Sequence, residues 1–132
     1  NFVEAAMDIT NGQGVSVVYD SVGLTTFNDS LRCLKPRGMM ALFGQSSGPV
    51  PKFDLAKLAA MGSLFITRPS LMAYTATTRD LRSSARAVFD VMASGAIKIK
   101  IDQTYPLSQV AQAHRDLESR KTTASTVLKA QG

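Results

Sequence analysis

Apolar residues gather along the chain in short unbroken runs separated by stretches of helical spacing. Val15 to Tyr19 (VSVVY) is β-branched and aromatic almost throughout, Met39 to Phe43 (MMALF) is wholly apolar, and Leu64 to Thr67 (LFIT) repeats the type. Runs without period-two alternation predict strands buried on both faces, as in a parallel sheet. Between them the period lengthens. Phe2, Ala5, Ala6 and Ile9 share a helical face that NGQG ends. Thr25 or Thr26 caps a second helix with a Phe27, Leu31 and Leu34 stripe, ended by Pro36 and Gly38. Asp54 caps a third, FDLAKLAAMG, which Gly62 closes. GQSSGPVPK is a loop on composition. The order helix, strand, helix, strand, helix, strand predicts an α/β fold of parallel strands joined by right-handed helical crossovers.

After Pro69, which stops the third strand, the pattern changes. TTRDLRSSARAVFDVMASG predicts a long amphipathic helix with Leu81, Ala85, Val88, Phe89 and Met92 inward and Arg79, Arg82 and Arg86 on a solvated face. AIKIKIDQTYP alternates as a strand exposed on one face does. LSQVAQAHRDLES is another amphipathic helix and ASTVLK a last strand, so this tail belongs to a different sheet.

Each of the first three strands closes on a small polar or glycine-containing tip: Asp20-Ser21-Val22-Gly23, Gly44-Gln45-Ser46-Ser47 and Thr67-Arg68-Pro69. Ligands of open parallel sheets bind beyond the carboxyl ends of the strands, where these tips lie. Small residues admit a ligand to the backbone, and Ser, Gln and Thr offer hydrogen bonds. Arg68 is placed to meet a phosphate or carboxamide. Any α/β protein also needs polar turns at its strand ends, so spacing alone leaves a structural role open and names no ligand. The chain has no GxGxxG, no GxxxxGK[ST], and no strand before its first helix to carry either. It is therefore a different fold or a truncated nucleotide fold, and a start at Asn1 without methionine favours a piece of something longer.

Composition narrows the classes. A net charge of +5 with dispersed basic residues lacks the stripe of a nucleic-acid binder. No apolar stretch approaches the roughly 18 residues that span a bilayer, and no signal peptide is visible. One cysteine, Cys33, rules out an internal disulfide framework and favours a reducing, cytoplasmic location. Cys33 reads as buried. His114, the only histidine, reads as a packed, hydrogen-bonded residue on the apolar face of Leu107, Val110, Ala111 and Leu117, and one His with one Cys makes no zinc site. Tyr105 with Pro106 reads as strand-end packing, and Met39, Met40, Met61 and Met92 as core filler. The apolar strand Leu64 to Thr67, if it ends the sheet, is a poor exposed edge that a second subunit would cover.

VVYDSVG, LKPRGMMALFGQSSGPV, GSLFITRPSL and YPLSQVAQAHRDLESRKTTASTVL together resemble, in order and spacing, the C-terminal part of NADPH-dependent quinone oxidoreductases. These form the zinc-free, zeta-crystallin-like branch of the medium-chain dehydrogenase/reductase superfamily. The resemblance implies the second half of a Rossmann domain with helices on both faces over residues 1–95. Residues 96–132 would return to a GroES-like catalytic domain. It implies NADPH contacts from Ser21 and Val22 beside the ribose–adenine part, and from Phe43, Gly44, Gln45 and Ser46. Thr67, Arg68 and Pro69 would flank the nicotinamide, and Arg120 resembles a tail arginine that reaches the cofactor. Many relatives have glycine in the turn before the last strand, where this chain has Ala124. The implied activity is hydride transfer from NADPH to a quinone or an α,β-unsaturated carbonyl, with no metal and no catalytic side chain here. The implied assembly is a homodimer through the Leu64–Thr67 edge. The segment alone is expected to be inactive. An enoyl reductase of the same superfamily and a non-catalytic α/β interaction module remain as rival readings.

Overall fold

The computed structural model describes residues 1–130. The chain packs as two units, Asn1–Ala76 and the residues from Thr77 onward. The first holds α1 (Phe2–Ile9), β1 (Val15–Asp20), α2 (Phe27–Arg32), β2 (Leu34–Leu42), α3 (Ala56–Ala60), β3 (Phe65–Thr67) and α4 (Leu71–Tyr74). The second holds α5 (Thr78–Ala93), β4 (Ile101–Pro106), a 3-10 turn at Leu107–Gln109, α6 (Val110–Glu118) and β5 (Ser125–Lys129). The division falls before α5, whereas the expected domain limit at residue 95 falls after it.

In the first unit β1, β2 and β3 form one parallel sheet in that order. Val18, Met40 and Ile66 align across it, as do Val17, Met39 and Phe65 on the opposite face. The core lies on the Met40 side, where Phe27 and Leu31 of α2 meet Leu34, Leu42 and Leu64, with Val18, Phe53, Leu58 and Ile66 packed around them. Phe53 meets Phe27 edge to face at 5.0 Å, a geometry that aligns ring edge with ring face. The expectation of strands buried on both faces is corrected here. Val17, Met39 and Phe65 are exposed and Tyr19 is 76% exposed, because no element of the first unit covers that face.

Local chemistry sets the element ends. Asn1 caps α1 by accepting from the Val3 N–H at 3.1 Å, and Asp54 accepts from the Ala56 N–H at 2.9 Å. Leu34 belongs to β2, pairing with Val15, and not to the helical stripe expected of it. The register then jumps to Val17–Met39 across an outward loop, in which Arg37 takes φ 60 and donates its N–H to Gly62 at 2.7 Å. The Lys35–Gly38 turn therefore lies inside the strand rather than before it. Cys33 is buried as expected. Burial first, and the Asp29 carboxylate second, push its thiol above the ordinary value, against Arg32.

In the second unit β4 and β5 pair in parallel as a separate sheet, as the sequence pattern suggested. The Tyr105 hydroxyl donates to Asp116 at 3.0 Å, tying β4 to α6. That bond holds the hydroxyl above its usual pKa, and donors from Gln112 and then Tyr105 hold Asp116 below the usual carboxylate range. Three expectations fail in this unit. Strand β4 starts at Ile101, not Ala96, because β5 offers no partner beyond the Ile101–Ser125 pair. Ile97, Ile99 and Ile101 are exposed, and so are Leu81, Val88, Met92 and Phe89 (65%) along α5, which buries no residue. His114 is exposed, not packed; it lines a cavity of about 170 Å³ with Ala113, Leu117, Thr126 and Leu128.

Met40, 0% exposed at the centre of the first core, anchors the sheet on its helices. Met40→Ala is expected to lower unfolding stability by about 2–5 kcal/mol, read from the midpoint of urea denaturation.

Candidate functional site

The three strand-end tips converge at one edge of the sheet, where the first two are bonded backbone to backbone. Asp20, the last residue of β1, gives its carbonyl to the N–H groups of Phe43 at 2.9 Å and Gly44 at 3.2 Å. Ser46 N–H donates to Ser21 O at 3.2 Å, Ser47 N–H to Val22 O at 2.9 Å, and Leu24 N–H to Gly48 O at 3.1 Å. The Ser47 hydroxyl donates to Val22 O at 2.7 Å and accepts from the Thr25 N–H at 3.1 Å. The first two tips are therefore one stitched structure.

Close approach explains the glycines. A Cβ on Gly44 would strike the Ser21 carbonyl oxygen and lie 2.8 Å from the Ser21 Cα and carbonyl carbon. Gly23, at φ +87, has Gly48 O at 2.8 Å and Gln45 Cα at 3.0 Å from where its Cβ would sit. Positive φ and backbone contact each demand glycine there.

The third tip joins through a side chain. Arg68 Nη1 donates to Leu42 O at 2.9 Å and to Gly44 O at 3.4 Å, and Nη2 donates to Gln45 Oε1 at 3.1 Å. The sequence places Arg68 to meet a phosphate or carboxamide; in the structure its guanidinium braces the second tip. Gln45 keeps its amide N–H groups as donors, since Arg68 takes its oxygen.

Beneath the first tip sits a buried carboxylate that the motif reading passed over. Asp20 is 3% exposed. Its Oδ1 accepts from the N–H groups of Val22 at 2.8 Å and Gly23 at 3.0 Å, and its Oδ2 from the hydroxyls of Thr26 and Ser30, each at 2.8 Å. Burial pushes its pKa up, but the bonds from Gly23, Ser30, Val22 and Thr26 outweigh it and leave the carboxyl below its ordinary value. Thr26 stands at the expected cap position of α2 yet gives its hydroxyl to Asp20. The available signal was the spacing of Gly23, Thr26 and Ser30 behind Asp20, donors brought under one strand end by the turn into a helix.

The sequence-predicted residues divide accordingly. Ser21, Val22, Phe43, Gly44, Gln45, Ser46, Thr67, Arg68 and Pro69 all lie at this edge, with Ser21, Phe43, Gln45, Ser46, Thr67 and Arg68 exposed. An open depression of about 210 Å³ beside the first tip is lined by Tyr19, Ser21 and Val22, with Asp20, Thr26 and Ser30 at its wall. Arg120 lies in the second unit, after α6, at φ 58 with its N–H on Leu117 O at 3.1 Å. Ala124 takes φ 54, the backbone state that glycine adopts without strain.

A family model described as zinc-binding dehydrogenase matches residues 1–128. The chain belongs to the zinc-binding dehydrogenase family. Among curated relatives, a quinone oxidoreductase of Pseudomonas aeruginosa is 42% identical over 128 residues, covering 97% of this chain and 39% of the relative. A 2-haloacrylate reductase of Burkholderia sp is 40% identical over 129 residues, again covering 97% and 39%. The crystal structure of Escherichia coli quinone oxidoreductase complexed with NADPH matches with a TM-score of 0.86 at 45% identity, covering 97% of this chain and 40% of that one. The chain thus spans about 39% of the length of the curated dehydrogenase-family relatives it matches. The resemblance to quinone oxidoreductases is borne out. Among the described residues no three His, Cys, Asp or Glu side chains gather as a metal ion would need, and no helix is long and apolar enough to cross a membrane.

Gly44→Ala is expected to cost about 1–3 kcal/mol through overpacking against Ser21. Chemical denaturation measures the loss; a variant as stable as wild type would show that the tips are not in contact.

Proposed function

We propose that this chain is the cofactor-binding portion of an NADPH-dependent reductase that passes hydride to a quinone or an α,β-unsaturated carbonyl. The observation that carries the reading is the convergence of three strand-end tips on one sheet edge, in a chain of the dehydrogenase family. The names of its relatives support the two acceptor classes, quinones and activated alkenes, and one matched structure was solved with NADPH.

The edge has the chemistry to hold a dinucleotide. Gly44 removes side-chain bulk where the tips meet, Phe43 is 54% exposed, and Ser21, Gln45 and Ser46 present neutral donors and acceptors. In this proposal Ser21 and Val22 hold the ribose–adenine part, and Phe43, Gly44, Gln45 and Ser46 line the middle. Thr67, Arg68 and Pro69 flank the nicotinamide, with Arg120 approaching from the tail. When bound, NADPH supplies the hydride. The chain's own work is to bind, to orient and to exclude water; it offers no general acid or base to this step. Residues 1–95 would be the second half of a Rossmann domain and 96–132 the return to a catalytic domain. The rest of a longer protein would then cover the exposed Val17–Met39–Phe65 face. We further propose a metal-free, cytoplasmic enzyme, a location that the single buried Cys33 fits.

The full-length protein is expected to oxidise NADPH with quinones or enones in the presence of a chelator. The 132-residue chain alone is expected not to, because it carries no glycine-rich pyrophosphate loop. Spectrophotometry at 340 nm across a panel of quinones, enones and enoyl thioesters separates the acceptors. Failure of the full-length protein to bind NADPH at hundreds of micromolar would instead favour a non-catalytic module.

Strand β3 pairs only with β2 among the described residues and carries the exposed Phe65. A free apolar edge of this kind is covered in native proteins, here by the same edge of a second copy. Light scattering of the full-length protein at micromolar concentration is expected to give twice the chain mass, and a monomer would oppose the pairing.

A further inference from the structure

We propose that Asp20 is a positioning residue for cofactor binding: its buried carboxylate and its carbonyl together hold the first two tips in the shape that a dinucleotide meets. The inference rests on the reductase reading for its consequence, though not for its geometry.

Two halves of one residue act on two different tips. The carboxylate folds the first back on itself through the Val22 and Gly23 N–H groups and fastens it to α2 through Thr26 and Ser30. The carbonyl receives Phe43 and Gly44, which open the second tip. Asp20 itself is 3% exposed, and Ser21 and Phe43, on either side of these bonds, are exposed. Asp20 borders the open depression beside the first tip, but its carboxylate is already met by four donors, so it acts through the backbone from which Ser21, Val22, Phe43 and Gly44 would contact a ligand.

The physical expectation follows from the donors around it. Truncating the side chain strips partners from two N–H groups and two hydroxyls in a buried place, and each then seeks another acceptor or water. The fold has other anchors in its apolar core, so the loss concentrates in the tips. A ligand that needs the ordered shape then finds it only part of the time. Apparent affinity falls by that fraction, while turnover of the bound complex changes little. Asparagine keeps an oxygen for Val22 and Gly23, and the hydroxyls of Thr26 and Ser30 can turn to accept from its amide.

The test uses the full-length protein as wild type, Asp20→Ala, Asp20→Asn and, as a control for general destabilisation, Leu31→Ala in the α2 core. Thr26→Val, which removes one donor, serves should Asp20→Ala not fold. Amide hydrogen exchange is followed at Val22, Gly23, Phe43 and Gly44 against Met40 in mid-strand. The KM for NADPH is measured separately from kcat. Asp20→Ala is expected to speed exchange at the four tip amides by about tenfold or more relative to Met40. It should raise KM about tenfold with kcat within about threefold of wild type. Asp20→Asn should return both to within about threefold, and Thr26→Val should shift both in the same direction by less. The proposal is overturned if tip exchange does not rise selectively, if Leu31→Ala raises KM as much, or if loosened tips leave KM unchanged. Wild-type protein that binds no NADPH would remove the reductase reading, and the exchange measurement would still decide what Asp20 holds in place.

Discussion

A carboxylate removed from water must be met by donors or it is expelled or protonated. Asp20 sits at the last position of β1, where the strand ladder has run out and the chain must turn. The turn is built so that N–H groups which no strand partner reaches point inward at the carboxylate, while Thr26 and Ser30 reach it from the next helix. Its bonds overcome burial and keep it ionised. No buried side-chain polar atom among the described residues lacks a partner, which is the state native interiors reach. The rest of the edge inherits its placement from that settlement. Once Asp20 is fixed, its carbonyl fixes Phe43 and Gly44, and Ser21 O and Val22 O take up Ser46 and Ser47.

Arg68 completes the edge in the opposite sense. Carbonyls at the end of a parallel strand are left without ladder partners, and a guanidinium supplies several donors in a fixed fork. Bonds to Leu42 O, Gly44 O and Gln45 Oε1 occupy that fork. The acid under the first tip and the base over the second each answer unsatisfied backbone of the opposite polarity. Neither needs a ligand to account for its presence.

How much of this was legible in the sequence depends on what each signal encodes. The VSVVY, MMALF and LFIT runs located β1, β2 and β3, because consecutive apolar residues mark a parallel strand even where, as here, only the Met40 face is covered. The tips followed from the strand ends. What covers an apolar face was not legible. Leu81, Val88, Phe89 and Met92 do form a helical stripe, and Ile97, Ile99 and Ile101 do alternate, yet all stand exposed. Periodicity records that a surface wants a partner, not where the partner lies. Leu34 was misplaced for a related reason: it continues the helical spacing of Phe27 and Leu31, but the ladder to Val15 claims it for β2. At the site, Asp20 read as one more polar turn residue because its partners at Thr26 and Ser30 belong to a different element. Arg68 read as ligand-facing because nothing in TRPS shows that the carbonyls of Leu42 and Gly44 lie within its reach.

With the Asp20 carboxylate buried among its own donors, the Arg68 guanidinium, bonded to its own backbone and to Gln45, is the one charge among the exposed residues of the three tips. The hydroxyls of Ser21 and Ser46, the Gln45 amide, Phe43 and Thr67 stand exposed there beside Arg68. Beyond that one cation, such a surface discriminates by shape and by hydrogen bonds, and the dispersed +5 charge of the chain adds no focused field. Under the proposed reading this divides the labour of recognition. Ribose and carboxamide, neutral and rich in donors and acceptors, suit these tips, whereas a pyrophosphate calls for the backbone N–H cradle of a glycine-rich loop. The precision of the edge then matters more than its charge, and precision here comes from backbone stitched to backbone around one buried acid.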